Sequence, residues 1–221
     1  MTAFEDCQPD ILAHLPLLRS HAQRLMVKAS PMIDIDRAIE QLGTVSEVHV
    51  VAVKGECKEV LFLCDDTAAE PFIHCVNLES GHETFCFMRS EEEASTPIYC
   101  SRVGRYLYEP HAALMKGGAF RLIGQRFGLS MLAPNSHLYT ADRLVGDFPG
   151  RIFEVESEMA PSRKNIAKAF PDGKAHVVVR NYPMAAEALQ KQLHLREGGD
   201  RFLIATTVGS RRTAFVCRRI G

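Results

Sequence analysis

The sequence lacks any long apolar run. Its longest apolar stretches, residues 48–53 and 60–64, fall far short of the roughly 20 residues that a helix needs to span a bilayer. Residues 1–6 also lack the basic side chains with which a signal peptide begins. We therefore expect a cytoplasmic protein with no membrane partner. Its 221 residues, 46% hydrophobic and 24% charged, suffice for one to three compact domains.

Disulfide and metal-binding motifs are also missing. The seven cysteines are odd in number and include no Cys-x-x-Cys pair, which argues against a closed disulfide framework and a zinc knuckle. Most of them lie in apolar runs, where a free cysteine behaves as a small hydrophobe. The nine histidines include no His-x-x-x-His pair, and His49, His74 and His176 lie in strand-like runs. The sequence therefore predicts no metal site.

No glycine-rich turn of the nucleotide-binding kind follows a predicted strand. Such a turn lets backbone N–H groups and a helix N-terminus approach a cofactor closely. The only glycine doublets are Gly117-Gly118, within a helical pattern, and Gly198-Gly199, between a helix and a strand. Both are typical of turns or close packing. The sequence therefore predicts no complete cofactor site.

The net charge is only -1, but it is unevenly distributed. Residues 148–221 carry 13 Lys and Arg against 7 Asp and Glu, a balance of +6. Residues 1–147 carry 13 against 20, a balance of -7. A basic C-terminal region that follows an acidic N-terminal region indicates a polyanionic partner, although a basic surface exposed only to solvent gives the same pattern.

Helix and strand patterns alternate in the first 66 residues. Apolar spacing predicts helices over 10–22 and 35–42 and strands over 25–29, 46–53 and 59–64. This order matches the closing portion of a methyltransferase-type Rossmann sheet, whose last two strands form an antiparallel pair. A second hairpin is predicted over 72–78 and 84–88 around Ser80-Gly81, and the acidic run 91–93 is predicted to be a solvated loop.

The remaining residues predict a helix over 111–127 and then a small α+β module. In that module, strands are predicted over 151–155, 176–180, 202–207 and 213–217, and helices over 163–169 and 184–193. Residues 147–150 are the most plausible boundary before the module, because Pro149 and Gly150 interrupt both periodicities.

Nine ordered motifs carry a resemblance to a known family. They are residues 5–10 (EDCQPD), 25–34 (LMVKASPMID), 45–49 (VSEVH), 56–59 (ECKE), 104–110 (GRYLYEP), 148–154 (FPGRIFE), 180–183 (RNYP), 195–200 (LREGGD) and 217–220 (CRRI). Over essentially its whole length the chain resembles bacterial class I S-adenosylmethionine (SAM)-dependent methyltransferases with a C-terminal THUMP-like domain. We expect an α/β plus α+β protein: the C-terminal half of a Rossmann-like methyltransferase sheet, a small ferredoxin-like segment and a THUMP-like module.

The resemblance implies four segments. Residues 1–66 would complete the methyltransferase domain, 67–104 would form a connecting hairpin region, 105–147 the ferredoxin-like segment and 148–221 the THUMP-like domain. SAM is the cofactor of the family, whose glycine-rich strand-turn-helix and Asp-Pro-x-Arg type motif precede the position of Glu5. Because this chain starts after both, we expect none of its residues to bind SAM. THUMP domains bind RNA, so RNA is the expected partner and DNA is not.

Two groups of residues are candidates for the substrate site. Lys28, Ser30 and Asp34 follow a buried strand, at the sheet edge where ligands collect. The alternative is that Ser30 and Asp34 cap the next helix while Lys28 lies on the surface. Tyr106 and Tyr108 could stack on a base, or else pack between modules.

In the C-terminal module, Arg180, Asn181 and Tyr182 combine a guanidinium, an amide and a ring after a strand, and Arg211 and Arg212 add charge. These five residues form the preferred RNA-site hypothesis. No catalytic residue is assigned, because Cys7 precedes Pro9 rather than following a proline. Three functions stay open: an RNA methyltransferase represented by a C-terminal fragment that is inactive alone, a stand-alone RNA-binding module, and an inert folded remnant.

Overall fold

The computed structural model describes residues 4, 8–65, 70–79 and 83–220. The predicted Ser80-Gly81 turn and Cys7 lie outside these residues. Within them, no helix combines the length and the apolar character needed to cross a bilayer. The chain divides into two compact units, Met1–Ser95 with His111–Phe120, and Thr96–Pro110 with Arg121–Gly221. The mixed α/β fold class with two mixed sheets is confirmed.

The first unit contains four helices and five strands among its described residues. They are α1 (Ile11–His21), β1 (Leu25–Ala29), α2 (Ile35–Leu42), β2 (Val45–Val53), β3 (Glu56–Cys64), β4 (Phe72–Asn77), β5 (Glu83–Phe87), α3 (Arg89–Ala94) and α4 (Ala112–Gly117). The sheet order is β1-β3-β2-β4-β5. Strand β3 is antiparallel to both β1 and β2, β2 is parallel to β4, and β4 and β5 form a hairpin pair.

One face of this sheet is buried in the core of the first unit. Val48, Val50 and Ala52 alternate along β2 and are almost fully buried, as the two-residue period of a strand requires. Helix α4 approaches the same face closely, because a Cβ atom on Gly117 would lie 2.3 Å from Cys75 Sγ. Burial raises the pKa of the Cys75 thiol, which fits its predicted use as a small apolar side chain.

Two predicted segments differ from the structure. The acidic run 91–93 is part of helix α3 rather than a loop, because the Glu91 carboxylate accepts a hydrogen bond from the Met88 backbone N–H at 2.8 Å and Glu92 is buried. The single helix predicted over 111–127 is divided, since Gly118 adopts a φ of 85° that ends α4. The chain resumes as α5 (Phe120–Phe127).

The second unit contains the other elements, including all of α5 except Phe120. They are β6 (Tyr106–Pro110), β7 (Ser130–Met131), β8 (Tyr139–Ala141), β9 (Gly150–Met159), α6 (Arg163–Ala169), β10 (His176–Val179), α7 (Ala186–Gln192), β11 (Arg201–Val208) and β12 (Arg211–Ile220). The predicted strands and helices after residue 150 are therefore confirmed. One seven-stranded sheet, ordered β10-β11-β12-β9-β6-β8-β7, joins them.

Both faces of the middle of this second sheet are buried. Leu203 and Ala205 of β11 belong to one core cluster, which the apolar residues of α6 and α7 complete. Ile204, between them in sequence, packs in a second cluster with Phe153 and Leu107. Strand β11 is thus covered on both sides, which explains its continuous apolar run.

Candidate nucleic-acid interface

A groove of about 650 Å³ lies in the second unit where three segments meet. The segments are the carboxyl end of β10, the loop leading into α7, and the hairpin of β11 and β12. Its lining residues are Val179, Asn181, Tyr182, Pro183, Met184, Ala185, Thr207 and Arg212. Register explains the convergence, because β10 runs parallel to β11 and Thr207 stands opposite Arg212 across the hairpin.

The loop at Asn181 is fixed by hydrogen bonds at both its backbone and its side chain. Its backbone has a φ of 47°, in the left-handed region that Asn tolerates better than most residues. Its carbonyl oxygen accepts a hydrogen bond from Thr207 Oγ1 at 2.6 Å, and its Nδ2 donates to the Pro134 carbonyl oxygen at 3.1 Å. These two hydrogen bonds anchor the loop, and Asn181 remains exposed.

Tyr182 and Met184 are among the residues that line the groove. Both are half-buried and pack against the apolar cluster that includes Leu189 of α7. A ring anchored in this way loses little conformational entropy when a flat ligand stacks on its exposed part. The groove therefore offers a positioned aromatic side chain next to the exposed amide of Asn181.

The arginines predicted for this surface differ in what they contact. Arg212 is exposed and lines the groove, and no carboxylate pairs with it among the residues that the structure describes. Arg211, its neighbour on β12, has a terminal nitrogen 2.5 Å from Glu158 Oε1. Successive strand residues point to opposite faces, which separates the two guanidinium groups. Arg212 is thus the cation available to a ligand in the groove.

Arg180 belongs instead to an ion cluster around the buried carboxylate of Glu109. Glu109 is 2% exposed, and Arg151 Nε donates to its Oε2 at 2.7 Å. A terminal nitrogen of Arg180 lies 2.7 Å from Oε1, at an angle outside hydrogen-bond geometry, so this contact is coulombic. Burial, together with the Arg180 cation, lowers the pKa of His137. An unpaired carboxylate is costly to bury, so the ion pair with Glu109 makes Arg180 unavailable to a ligand.

The two predicted stacking tyrosines lie on β6, and neither lines the groove. Tyr108 is fully buried; its hydroxyl donates to the Arg143 carbonyl oxygen at 3.0 Å and accepts from the Val145 N–H at 2.9 Å. Its ring therefore packs in the interior and cannot stack on a base. Tyr106 is half-buried, with the Arg105 guanidinium over its ring at 5.4 Å.

Lys28, Ser30 and Asp34 belong to the first unit; Asp34 and Lys28 match the capping alternative, whereas Ser30 does not cap α2. Asp34 is the N-cap of α2, where its carboxylate accepts a hydrogen bond from the Arg37 backbone N–H at 3.1 Å. Ser30 Oγ accepts from the Met32 N–H at 3.2 Å within a turn. The exposed Lys28 ammonium lies 3.7 Å from a Glu59 carboxylate oxygen. None of these three side chains lines the groove or the cavity around Arg19 and Cys64.

Sequence reasoning missed Thr207, which anchors the groove. The position of Thr207 could have been predicted from the hairpin of β11 and β12, because a turn at Gly209-Ser210 puts Thr207 opposite Arg212. It also missed Glu109 as the partner of Arg151 and Arg180. That partnership depends on strand pairing between residues distant in sequence, for which no local pattern exists.

Two family models match the second half of the chain. A ferredoxin-like domain matches residues 106–149, and a THUMP domain-like model matches residues 150–219. The groove lies within the THUMP-like part, and the ion cluster of Glu109, Arg151 and Arg180 joins the two matched segments.

The chain is also similar to longer proteins over nearly all of its length. Two Mycobacterium tuberculosis proteins, from strains CDC 1551 / Oshkosh and ATCC 25618 / H37Rv, are each named an uncharacterized S-adenosylmethionine-dependent methyltransferase. Each is 28% identical over 214 residues, which cover 92% of this chain and 57% of the relative. A solved structure of a candidate methyltransferase from Porphyromonas gingivalis W83 superposes with a TM-score of 0.91 at 32% identity, covering 100% of this chain and 57% of that one.

The chain therefore spans 57% of the length of these relatives. Both matched domains and the resemblance seen in the sequence point to one group of proteins. The second half of the chain thus consists of a ferredoxin-like domain followed by a THUMP-like domain, and over nearly its whole length the chain is similar to proteins named S-adenosylmethionine-dependent methyltransferases.

Proposed function

We propose that this chain provides the RNA-binding part of a SAM-dependent RNA methyltransferase, and that the groove beside Asn181, Tyr182 and Arg212 holds the RNA. The observation that carries the proposal is the convergence of an amide, a ring and an unpaired guanidinium in one groove of the THUMP-like part. Single-stranded RNA is recognised by stacking of bases on aromatic side chains and by hydrogen bonds to base edges.

Each side chain of the groove has a distinct role in this proposal. The Tyr182 ring stacks on an unpaired base, because every base has a flat π-face. The Asn181 amide hydrogen-bonds to the edge of that base or its neighbour. The Arg212 guanidinium contacts a phosphate, to which it can donate two parallel hydrogen bonds. Arg180 and Arg211 are left out of direct contact, because carboxylates hold both.

The first sheet supports the methyltransferase part of the proposal. Strand β3 lies between β1 and β2 and is antiparallel to both, as the closing strands of a Rossmann-like methyltransferase sheet require. The division into residues 1–66, 67–104, 105–147 and 148–221 stays a prediction. So does the absence of a SAM site in this chain, for which calorimetry with SAM is the test.

The RNA-binding test is fluorescence anisotropy with a labelled single-stranded RNA of mixed sequence. Stacking on an aromatic side chain contributes about 1 to 3 kcal/mol per base, so we expect Tyr182→Ala to raise the Kd by roughly 5- to 150-fold. Tyr182→Phe keeps the ring, so we expect it to bind within about twofold of the wild type.

Tyr99→Ala is the matched control, since Tyr99 is an exposed tyrosine of the same unit outside the groove. We expect it to leave the Kd unchanged. Equal affinities for the wild type and a folded Tyr182→Ala variant would contradict the groove as the contact surface. A wild-type chain that binds no RNA at low salt would support the inert remnant, and equally tight binding of DNA would contradict RNA selectivity.

A further inference from the structure

Three potential metal ligands meet on the five-stranded sheet of the first unit. They are Glu47 and His49 on β2 and His74 on β4, whose ligand atoms all lie within 4.8 Å of one another. His49 Nε2 is 2.8 Å from Glu47 Oε2, and His74 Nε2 is 3.7 Å from the same oxygen. The two imidazole rings are stacked, with centroids 4.5 Å apart and planes 8° apart.

Strand pairing builds this cluster. Strands β2 and β4 are parallel, and His49 stands directly opposite His74 in their register. Glu47 lies on the same face as His49, because residues two apart on a strand share a face. Both strands are interior to the sheet, with β3 and β5 on their outer sides. The backbone beneath the three side chains is therefore held on both sides, and a ligand set on rigid strands is preorganised.

The cluster is accessible from solvent. Glu47, His49 and His74 have side chains that are 41%, 30% and 25% exposed, on the face opposite Val48 and Val50. A cation can thus reach the nitrogen and oxygen atoms, while the partial burial of the rings restricts their rotation.

We propose that Glu47, His49 and His74 form a binding site for a divalent transition-metal cation, with Zn²⁺ as the best match. Two imidazoles and one carboxylate are a ligand set that Zn²⁺ uses in proteins, with a fourth position left for water. Tetrahedral coordination with bonds of about 2.0 to 2.1 Å puts ligand atoms about 3.3 Å apart. The 2.8 and 3.7 Å separations from Glu47 Oε2 bracket that value, and the two histidine ligand atoms lie within 4.8 Å of each other. Binding therefore requires the two stacked rings to turn toward a common point.

Cys86 positions His74 for this role. It stands opposite His74 in the pairing of β4 with β5, and its Sγ lies 3.1 Å from His74 Nδ1. When His74 Nδ1–H donates to the sulfur, the Nε2 lone pair is left to bind the cation. In most metal-bound histidines a hydrogen bond from the other ring nitrogen orients the imidazole in this way. The sulfur is next to Nδ1 rather than Nε2, so Cys86 acts through His74 and is not itself a ligand.

The competing explanation is a purely structural hydrogen-bonded cluster. The variant Glu47→Gln distinguishes these two explanations. A glutamine carbonyl oxygen can still accept a hydrogen bond from His49, but it carries no charge to hold a cation. A structural cluster tolerates this change, whereas a metal site loses an anionic ligand.

The test is isothermal titration calorimetry of the tag-free full chain with ZnCl₂, supported by the absorption spectrum of the Co²⁺-loaded protein. We expect one Zn²⁺ per chain in the wild type and at least a tenfold rise in Kd for His49→Ala, His74→Ala and Glu47→Gln. Removing an outer partner of a ligand typically costs 10- to 100-fold in affinity, so we expect Cys86→Ala to fall in that range. The Co²⁺ bands should shift or vanish in the same variants.

His176→Ala is the matched control, because His176 Nδ1 also lies within hydrogen-bond distance of a carboxylate, that of Glu197 at 2.5 Å, but in the second unit. We expect it to keep the wild-type Kd and stoichiometry. A wild-type chain without a Zn²⁺ signal, or a Glu47→Gln variant that binds as tightly as the wild type, would overturn the proposal. Neither result would affect the RNA-binding proposal, which depends on other residues.

Discussion

At the scale of single residues, ion-pair partners decide which arginines of the C-terminal region are available to a polyanionic ligand. Arg180 and Arg212 look equivalent in the sequence, yet Arg180 is retained by the buried Glu109 while Arg212 lines the groove. Removing a cation from a buried carboxylate costs several kcal/mol, far more than an exposed contact contributes. Arg180 therefore stabilises the fold, and Arg212 is the residue we assign to RNA.

His111 allows a residue-scale prediction on pH. It is the N-cap of α4, where its Nδ1 accepts a hydrogen bond from the Leu114 N–H at 3.3 Å, and burial lowers its pKa from 6.5 to about 4. Between pH 6.5 and about 4, His111 is therefore protonated in the unfolded state but stays neutral in the folded state. We expect the free energy of unfolding to be highest above pH 6.5 and to fall between pH 6.5 and about 4, by about 3 kcal/mol from this residue.

Urea denaturation across this pH range measures the effect. His111→Asn keeps an N-cap acceptor but does not titrate, so we expect it to flatten the acid limb of the stability curve. The exposed His14 is the control, and His14→Asn should leave that limb as in the wild type. An unchanged limb in a folded His111→Asn variant would show that other groups cause the loss.

At the scale of elements, β6 and β9 approach so closely that their pairing depends on one glycine. Gly150 stands opposite Pro110, and a Cβ atom added to it would lie 2.1 Å from the Glu109 carbonyl oxygen. That oxygen belongs to the backbone, so the strands must separate. We expect Gly150→Ala to lower the free energy of unfolding by roughly 1 to 3 kcal/mol, as overpacking does, measured by urea denaturation.

Gly146→Ala is the matched control for this element. A Cβ atom at Gly146 meets no atom within 4 Å, and a substitution without a clash typically changes stability by less than about 0.5 kcal/mol. Equal stability of the two variants would contradict the close approach of β6 and β9.

The sequence predicted elements well where one periodicity ran without interruption. Strands β10 and β11 and helix α6 were predicted nearly to the residue, because their apolar residues follow a single period. Helix α3 was missed because its acidic residues suggested solvent, whereas Glu92 is buried in the structure. The break at Gly118 was missed because a positive φ leaves no mark on apolar spacing.

The candidate sites were predictable only in part. Asn181 and Tyr182 were identified because their chemistry is contiguous in sequence. The pairing of Arg180 with Glu109, and the cluster of His49 with His74, depend on which strands pair. Register across a sheet is a tertiary property, and no short motif specifies it.

At the scale of the whole molecule, the uneven charge is consistent with a polyanionic partner of the C-terminal region. Residues 148–221 carry a balance of +6, but ion pairs within the second unit neutralise several of these cations, including Arg211. The groove therefore depends on Arg212 as its cation, and we expect its RNA affinity to vary modestly with salt. Each phosphate contact to a single strand contributes about 0.7 to the slope of log K against log salt concentration.

The most direct test of the central claim, that the groove holds RNA through Arg212, is this slope for wild type and Arg212→Ala. We predict that the substitution lowers its magnitude by about 0.7, the contribution of one phosphate contact to a single strand. Arg102→Ala, which removes an exposed arginine of the same unit that is paired with Asp142, should leave the slope unchanged. Identical slopes for the wild type and a folded Arg212→Ala variant would contradict the account.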